Sequence, residues 1–539
     1  MLMSSIAVQR WVVSAPLWLL ALLIFAPIIF LLSSWWNVDT ELWRHLWDTQ
    51  LLGLVVNTLI LLFGVGVGVT VIGVGLAWLT ALCDFPGRRF FDWALILPLA
   101  VPAYVLAFVA LGIFDFGGPA QSLLRQFGMT GYLDIRGPVT VVTVMTLVLY
   151  PYVYLLARSA FLSQGTELLD VAQTLGVGRR SAFFRVAIPA ARPGIVAGVS
   201  LALMEALADF GAVAIFGFDT FTTAIYKSWY SLFSLHTAAQ LASLLLLFVV
   251  LTVFTERGMR SRITKLPSSH RQAPRQRIVL GRFWGGLATI SASLVVLCAV
   301  FIPLWQLSSW VFGAFSEVAL IDFYELALRT IGLGILAALC IVPLAMFSAF
   351  TCRRANITFL PEIMGLGYAL PGSVLAVGIM LCLAMADQVR VSAGEIFGFS
   401  WSPVFLGSLF GMLVAYLIRF FRPGYGSIDS AMSRVKPSYL EAGALMGVNG
   451  TRRFLGISLP LILPGVLTAS LIVFVDVIKE MPASLLLRPF GWDTLAIKIY
   501  ELTSEGEWQR AALPSLFLVL VSFAPVILLI RQSRRHSNV

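Results

Sequence analysis

Ionisable side chains inside apolar runs are where this 539-residue sequence could do chemistry. Asp476, Lys479 and Glu480 fall at i, i+3 and i+4, so on a helix they share a face and partly neutralise one another. Glu205 and Asp209 have the same i, i+4 spacing with no basic residue between them. A charge at the centre of a bilayer costs at least ~2.5–3.5 kcal/mol on insertion scales, so such residues usually face a cavity or a partner. Two readings stand level: these residues line or gate a route across a membrane, or they are ion pairs near its surface that lock helices together. Acids facing a cavity would suit a cationic cargo, but the sequence identifies no metal ligands.

Other chemistry finds little support. No GxxxxGK[ST] loop is present, so the chain is not expected to hydrolyse ATP itself. The run GVGVGVTVIGVG at 64–75 follows no strand, and Gly64 and Gly68 read as a GxxxG packing face rather than a nucleotide fingerprint. His45, His236, His270 and His536 are scattered, with no HExxH or Ser/His/Asp arrangement, so no catalytic residue is assigned. Cys83, Cys298, Cys340, Cys352 and Cys382 show no ligand-like spacing and read as small apolar fillers or idle thiols.

The elements that must position these residues are membrane helices. Mean hydropathy is +0.91, and 12% of residues are charged, against about 25% in soluble domains. Apolar runs of about 20 residues recur, the length that a helix needs to cross hydrocarbon. The fold class is all-α, a polytopic membrane protein of about twelve spans: 11–34, 53–82, 90–114, 138–161, 189–216, 238–256, 284–312, 327–350, 361–385, 403–421, 459–487 and 510–530. The first run is too long for a signal-peptide core and is expected to remain as a span. The net charge of +10 sits in short loops rather than in a nucleic-acid-binding face. Even connections carry it, as Arg88 and Arg89, as Arg158, Arg179, Arg180 and Arg185, as Arg353 and Arg354, and as Arg434, Lys436, Arg452 and Arg453. By the positive-inside rule, these loops and both termini face the cytoplasm.

Residues 257–282 hold eight Lys/Arg and read as a basic cytoplasmic linker between two halves, 1–256 and 283–539. Sliding the chain by 271 lays 165–194 on 436–465 and pairs Gly176 with Gly447, Phe183 with Phe454, Pro193 with Pro464 and Gly194 with Gly465. The same shift pairs Asp170 with Glu441, Glu205 with Asp476 and Asp209 with Glu480, while a shift of 274 lays DTFTTAIY on DTLAIKIY. Each half has six spans, an even number, so the repeats are parallel rather than inverted.

The repeated stretch is polar and lies between the fourth and fifth spans of each half. LEAGALMG predicts a short helix with Glu441 in its first turn, where the helix dipole favours a carboxylate. Gly447 then permits a turn at positive φ, and Pro460 opens the next span. The product is a helix–turn–helix knuckle along the membrane face, with Ala442, Gly443 and Ala444 exposed for close docking. This pattern resembles the EAA loop of binding-protein-dependent ABC importer permeases: EAGALMG…ISLP in the second copy and DVAQTLG…VAIP in the first. Glu441, Ala442, Ala444 and Gly447 match or adjoin the motif positions, as do Asp170, Ala172 and Gly176, although Asp replaces Glu and Val the first Ala in the first copy. The fused double layout, and the segment 476–516, are similar to the ferric-iron branch of the family.

The resemblance implies two type I importer repeats in one chain of a bacterial inner membrane. It implies coupling loops that grip two copies of a cytoplasmic ATPase, which carry the ATP and Mg while this chain binds no cofactor. It also implies a periplasmic binding protein that delivers ferric iron and meets the connections 115–137 and 386–402. Within the class, thiamine or another small solute is the alternative cargo. An ion-coupled secondary transporter or channel is the alternative of a different class.

Overall fold

A computed structural model describes every residue except 1, 129–133, 165–173, 177, 262–276, 314–319, 356, 358, 399–400 and 538–539, so most of the basic linker lies outside the described residues. In hydrocarbon each backbone N–H and C=O must find a partner within the protein, and the apolar runs become helices. In chain order these are α1 (Leu2–Ser33), α2 (Leu52–Leu82), α3 (Ala103–Phe114), α4 (Pro138–Gln164), α5 (Ile188–Ala208), α6 (Gly211–Ile215), α7 (Phe221–Tyr230), α8 (Leu235–Ser261) and α9 (Arg282–Val296). There follow α10 (Ile302–Gly313), α11 (Leu320–Ala355), α12 (Gly372–Ile396), α13 (Leu409–Ser433), α14 (Pro437–Leu445), α15 (Leu459–Lys479), α16 (Pro482–Leu487), α17 (Leu495–Ser504) and α18 (Trp508–Ser537), with further short helices and turns between them. Among the described residues, 11 segments are long and apolar enough to cross a membrane. The expected span 403–421 is not among them: it falls on α13, whose apolar run is interrupted by Arg419 and Arg422.

Two expected spans are not continuous helices. The run 90–114 divides into a helix Arg88–Ala94, a tight turn Leu97–Ala100 and α3. The run 361–385 divides into Phe359–Met364, Leu366–Ala369 and the start of α12. Proline is the reason in both, because it lacks an N–H and forces the preceding residue out of the helical region. Val101, before Pro102, has ψ 116°, and Leu370, before Pro371, has ψ 128°. The crossing segments run later than expected, over Ala103–Gln126 and Gly372–Ile396, so much of the connection expected at 386–402 is helix. The expected spans 189–216 and 459–487 also bend, after Ala208 and Lys479.

The repeat extends to element lengths. α5 and α15 each have 21 residues, and each follows a wide five-residue turn of π type, Phe183–Ala187 or Phe454–Ser458. α7 and α17 have 10 residues each.

Contacts divide the chain into two compact units that cut across the sequence halves. One comprises Met1–Thr40, Ile225–Ser243 and Ala319–Lys498; the other comprises Glu41–Ala224, Leu244–Val318 and Ile499–Val539. The first helix of each half thus belongs to the unit built mainly from the other half. In the first unit, α1 packs on α11 and α12. Its Leu17, Ile24 and Leu31 are buried at a seven-residue spacing, and a Cβ on Gly378 would lie 2.8 Å from the Pro27 carbonyl oxygen.

In the second unit, α2 packs along α4 through its glycines. A Cβ on Gly64 would lie 2.8 Å from Val142 and one on Gly68 2.4 Å from Thr146 Oγ1, so the GxxxG face is a packing seam. Phe108 stacks on Trp310 and Trp508, with ring centroids 6.2 and 6.4 Å away. Two short parallel strands, β1 (Cys83–Asp84) and β2 (Ile278–Val279), pair Cys83 with Ile278 and Asp84 with Val279 and so tie the end of the linker down. Cys83 is a free cysteine whose thiol is pushed up to about 11 by burial, which keeps it protonated and inert.

Substitution at the seam separates close packing from helix propensity. Gly68→Ala is expected to cost about 1–3 kcal/mol through overpacking against Thr146. Gly75→Ala, where an added Cβ meets nothing within 4 Å, is expected to be neutral or to stabilise by about 0.5–1 kcal/mol. Thermal unfolding of the solubilised protein reads both.

Candidate functional site

The second knuckle is described throughout 436–465. Lys436 is the extended N-cap of α14, and Pro437 opens the helix where its missing N–H costs nothing. The helix ends in a Schellman motif: the Val448 N–H donates to the Gly443 carbonyl at 3.1 Å and the Gly447 N–H to the Ala444 carbonyl at 3.0 Å. Gly447 has φ +75°, which the motif requires at this position. Glu441, Ala442 and Ala444 are exposed, but Gly443, expected to be exposed with them, is buried. A Cβ there would lie 2.7 Å from Ile457 Cδ1, so Gly443 folds the knuckle onto its own return arm. The tip presents Leu445 and Met446 to solvent, 90% and 81% exposed.

In the first knuckle, Asp170 and Ala172 lie outside the described residues. Gly176 is exposed and has φ +82°, matching Gly447. Each return arm is anchored by an aromatic pair: Phe183 lies 4.5 Å from Trp78 of α2, and Phe454 lies 5.1 Å from Phe350 of α11. Each arm then approaches the preceding helix closely. A Cβ on Gly194 would lie 2.9 Å from Ala160 Cβ, and one on Gly465 2.3 Å from Ala431 Cβ. One knuckle belongs to each compact unit.

At the far ends of α5 and α15 lie the acids singled out above. Asp209 and Glu480 are the C-cap residues of these helices, with ψ 131° and 115°, so the chain turns away from the helix axis directly after each. Asp209 Oδ1 accepts the Ala212 N–H at 2.9 Å and caps α6, while Thr222 Oγ1 donates to the Asp209 carbonyl at 2.9 Å. Glu480 Oε1 accepts the Ala483 N–H at 3.1 Å and caps α16, while Ser484 Oγ donates to the Glu480 carbonyl at 2.6 Å. Glu205, Asp476 and Lys479 are half-buried, and each interacts with a neighbouring group.

Glu480 has a partner that the spacing does not announce. Arg419 Nε lies 3.1 Å from Glu480 Oε2, with side-chain exposures of 8% and 6%. Arg419 Nη1 also donates to the Leu370 carbonyl at 2.7 Å, where the backbone breaks before α12. Tyr416 OH and Ser484 Oγ are 2.6 Å apart. A Cβ on Gly372 would lie 2.4 Å from Glu480 Oε1, so only glycine leaves room for the carboxylate.

The family model described as "binding-protein-dependent transport system inner membrane component" matches residues 69–260. The molybdenum transport system permease protein ModB of Escherichia coli (strain K12) is 35% identical over 173 residues, covering 32% of this chain and 71% of that protein. The chain belongs to this family of inner-membrane transport components. The Fe(3+)-transport system permease protein FbpB 2 of Haemophilus influenzae is 26% identical over 530 residues, 95% of this permease and 98% of its relative. The sulfate transport system permease protein CysT of Salmonella typhimurium is 28% identical over 240 residues, 42% of this permease and 84% of its relative.

Sequence reasoning about the permease missed Arg419 and Asp387. Asp387 is buried, and its carboxylate accepts the N–H groups of Val404, Phe405 and Leu406 at 2.8–3.1 Å, fixing the turn before α13. An arginine inside an apolar run was the one available signal for the buried pair. Glu480→Leu removes the carboxylate that balances the buried Arg419 charge and is expected to cost about 3–5 kcal/mol in solubilised-protein unfolding. Arg419→Met/Glu480→Leu is expected to recover most of that loss, since an apolar pair of similar volume is often neutral.

Proposed function

We propose that this permease carries ferric iron from periplasm to cytoplasm, driven by ATP hydrolysis on two copies of a partner ATPase and fed by a periplasmic binding protein. The observation that carries the coupling part is the knuckle built twice, with the same positive-φ glycine, return turn and aromatic anchor. In this reading Glu441, Ala442, Ala444 and Gly447 in one copy, and Asp170, Ala172 and Gly176 in the other, dock on the ATPases. The exposed Leu445–Met446 tip supplies apolar area to that contact. Both termini and the basic even loops face the cytoplasm, and ATP with Mg is held by the partners alone.

Ferric iron is supported by the relative whose match spans both halves. Glu205, Asp209, Asp476, Lys479 and Glu480 are the candidates for the translocation route, with Glu480 acting through Arg419 rather than as an open ligand. Molybdate or another oxyanion is the second reading, favoured by the higher identity over 173 residues.

Two measurements test the proposal. A tagged chain is expected to co-purify with its ATPase, and Leu445→Asp with Met446→Asp to weaken that retention about tenfold or more, as loss of an interface anchor does. Retention at wild-type levels would refute docking through the tip. Proteoliposomes holding the complete system are expected to take up iron only with ATP and an iron-loaded binding protein. Uptake of molybdate, sulfate or thiamine instead would reassign the cargo, and uptake without ATPase subunits would refute the class.

A further inference from the structure

α13 leads into the second knuckle and α15 leads out of it, and the two pack along each other. At the knuckle end they touch nearly backbone to backbone, through Gly465 and Ala431. Farther from the knuckle, at mid-length of α13, Arg419 meets Glu480, the residue that follows the far end of α15, in the pair described above. The two helices, the knuckle and the ion pair therefore close a frame. A push on α14 cannot be absorbed by sliding α13 past α15 unless a buried charge pair parts, which costs the attraction between the two charges where water does not replace it.

The frame delivers its motion to particular places. The Glu480 carboxylate caps α16, and the Arg419 guanidinium holds the Leu370 carbonyl at the break before α12. Tyr416, one turn before Arg419, reaches Ser484 of α16. The first half repeats the knuckle-end contact through Gly194 and Ala160. In register with Arg419, however, it has the buried Val148, and the Asp209 carboxylate caps α6.

We propose that Arg419 and Glu480 are positioning residues for transport: their ion pair is the far-end clamp through which displacement of the second knuckle reaches the α15–α16 elbow. The proposal rests on the coupling reading above.

The test uses the complete transporter in proteoliposomes, with ferric iron on the binding protein. Iron taken up per ATP hydrolysed is read beside the thermal stability of the same preparation. Arg419→Met/Glu480→Leu, the pair expected to keep its stability, is expected to hydrolyse ATP and yet lower this ratio about fivefold or more, the size of a lost coupling free energy. An unchanged ratio in that variant overturns the clamp. Should the double variant not assemble, Tyr416→Phe removes one neutral tie to α16 and is read in the same way. A fall of at least about twofold supports the proposal, and an unchanged ratio overturns it. The wild-type complex reports on the reading beneath: absence of ATP-dependent iron uptake there overturns both, whereas coupled wild type with a coupled double variant overturns the clamp alone.

Discussion

Hydrocarbon offers no hydrogen bonds, so wherever an apolar run stops being helical the protein must close the backbone itself. This chain stops in matched places, before α3 and α12 and after α5 and α15. Each stop draws a polar side chain toward it. Tyr150 OH donates to the Leu95 carbonyl at 2.8 Å in the turn region before α3, and Arg419 donates to the Leu370 carbonyl before α12. Asp209 and Glu480 accept N–H groups in the first turns of α6 and α16. The polar residues in the apolar runs are thus placed by the breaks, and the breaks aim the short helices that follow.

The elbow after α15 shows why one side chain does not suffice. A carboxylate there sits at the negative end of a 21-residue helix, where an anion is disfavoured, and at the positive end of a six-residue helix, which compensates little. The Arg419 guanidinium supplies the missing positive charge. Its planar fork meets a carboxylate and a carbonyl together, a task that suits Arg better than Lys. Glu480 is locked, while Glu205, Asp476 and Lys479 stay half-buried.

Much of the site could be read from turn-makers. The Gly176/Gly447 match reflects a backbone conformation that only glycine adopts cheaply, and Gly194/Gly465 reflects two helices in close approach. Phe183/Phe454 reflects an aromatic anchor on the second span. The helix ends after Ala208 and Lys479 were not legible, because hydrophobicity continues through both elbows while only the backbone direction changes. The same holds at Pro102 and Pro371, which lie inside runs of the right length for a single span. Gly443 misled because exposure in a nine-residue helix depends on which side the return arm lies. The partition into contact units left no trace in the sequence, since a helix that packs in lipid looks the same whichever half supplies its partner.

That last point has a physical basis. In water, an apolar helix separated from its partner by most of the chain would expose its stripe during synthesis and collapse on whatever came first. In lipid the stripe of α1 is already solvated, because hydrocarbon tails are as apolar as leucine. No hydrophobic force pulls α1 to its nearest neighbours in sequence, so its place is decided by packing alone. The decisive contact is close and specific: a glycine of α12, Gly378, receives the Pro27 carbonyl of α1 where any side chain would clash. A membrane chain can therefore afford to interlace its halves, holding each first helix in reserve until a small-residue groove appears on the other half. The same absence of hydrophobic drive is why the units rely on glycine seams and buried polar ties, and why one ion pair at a helix end can matter to the motion of the whole frame.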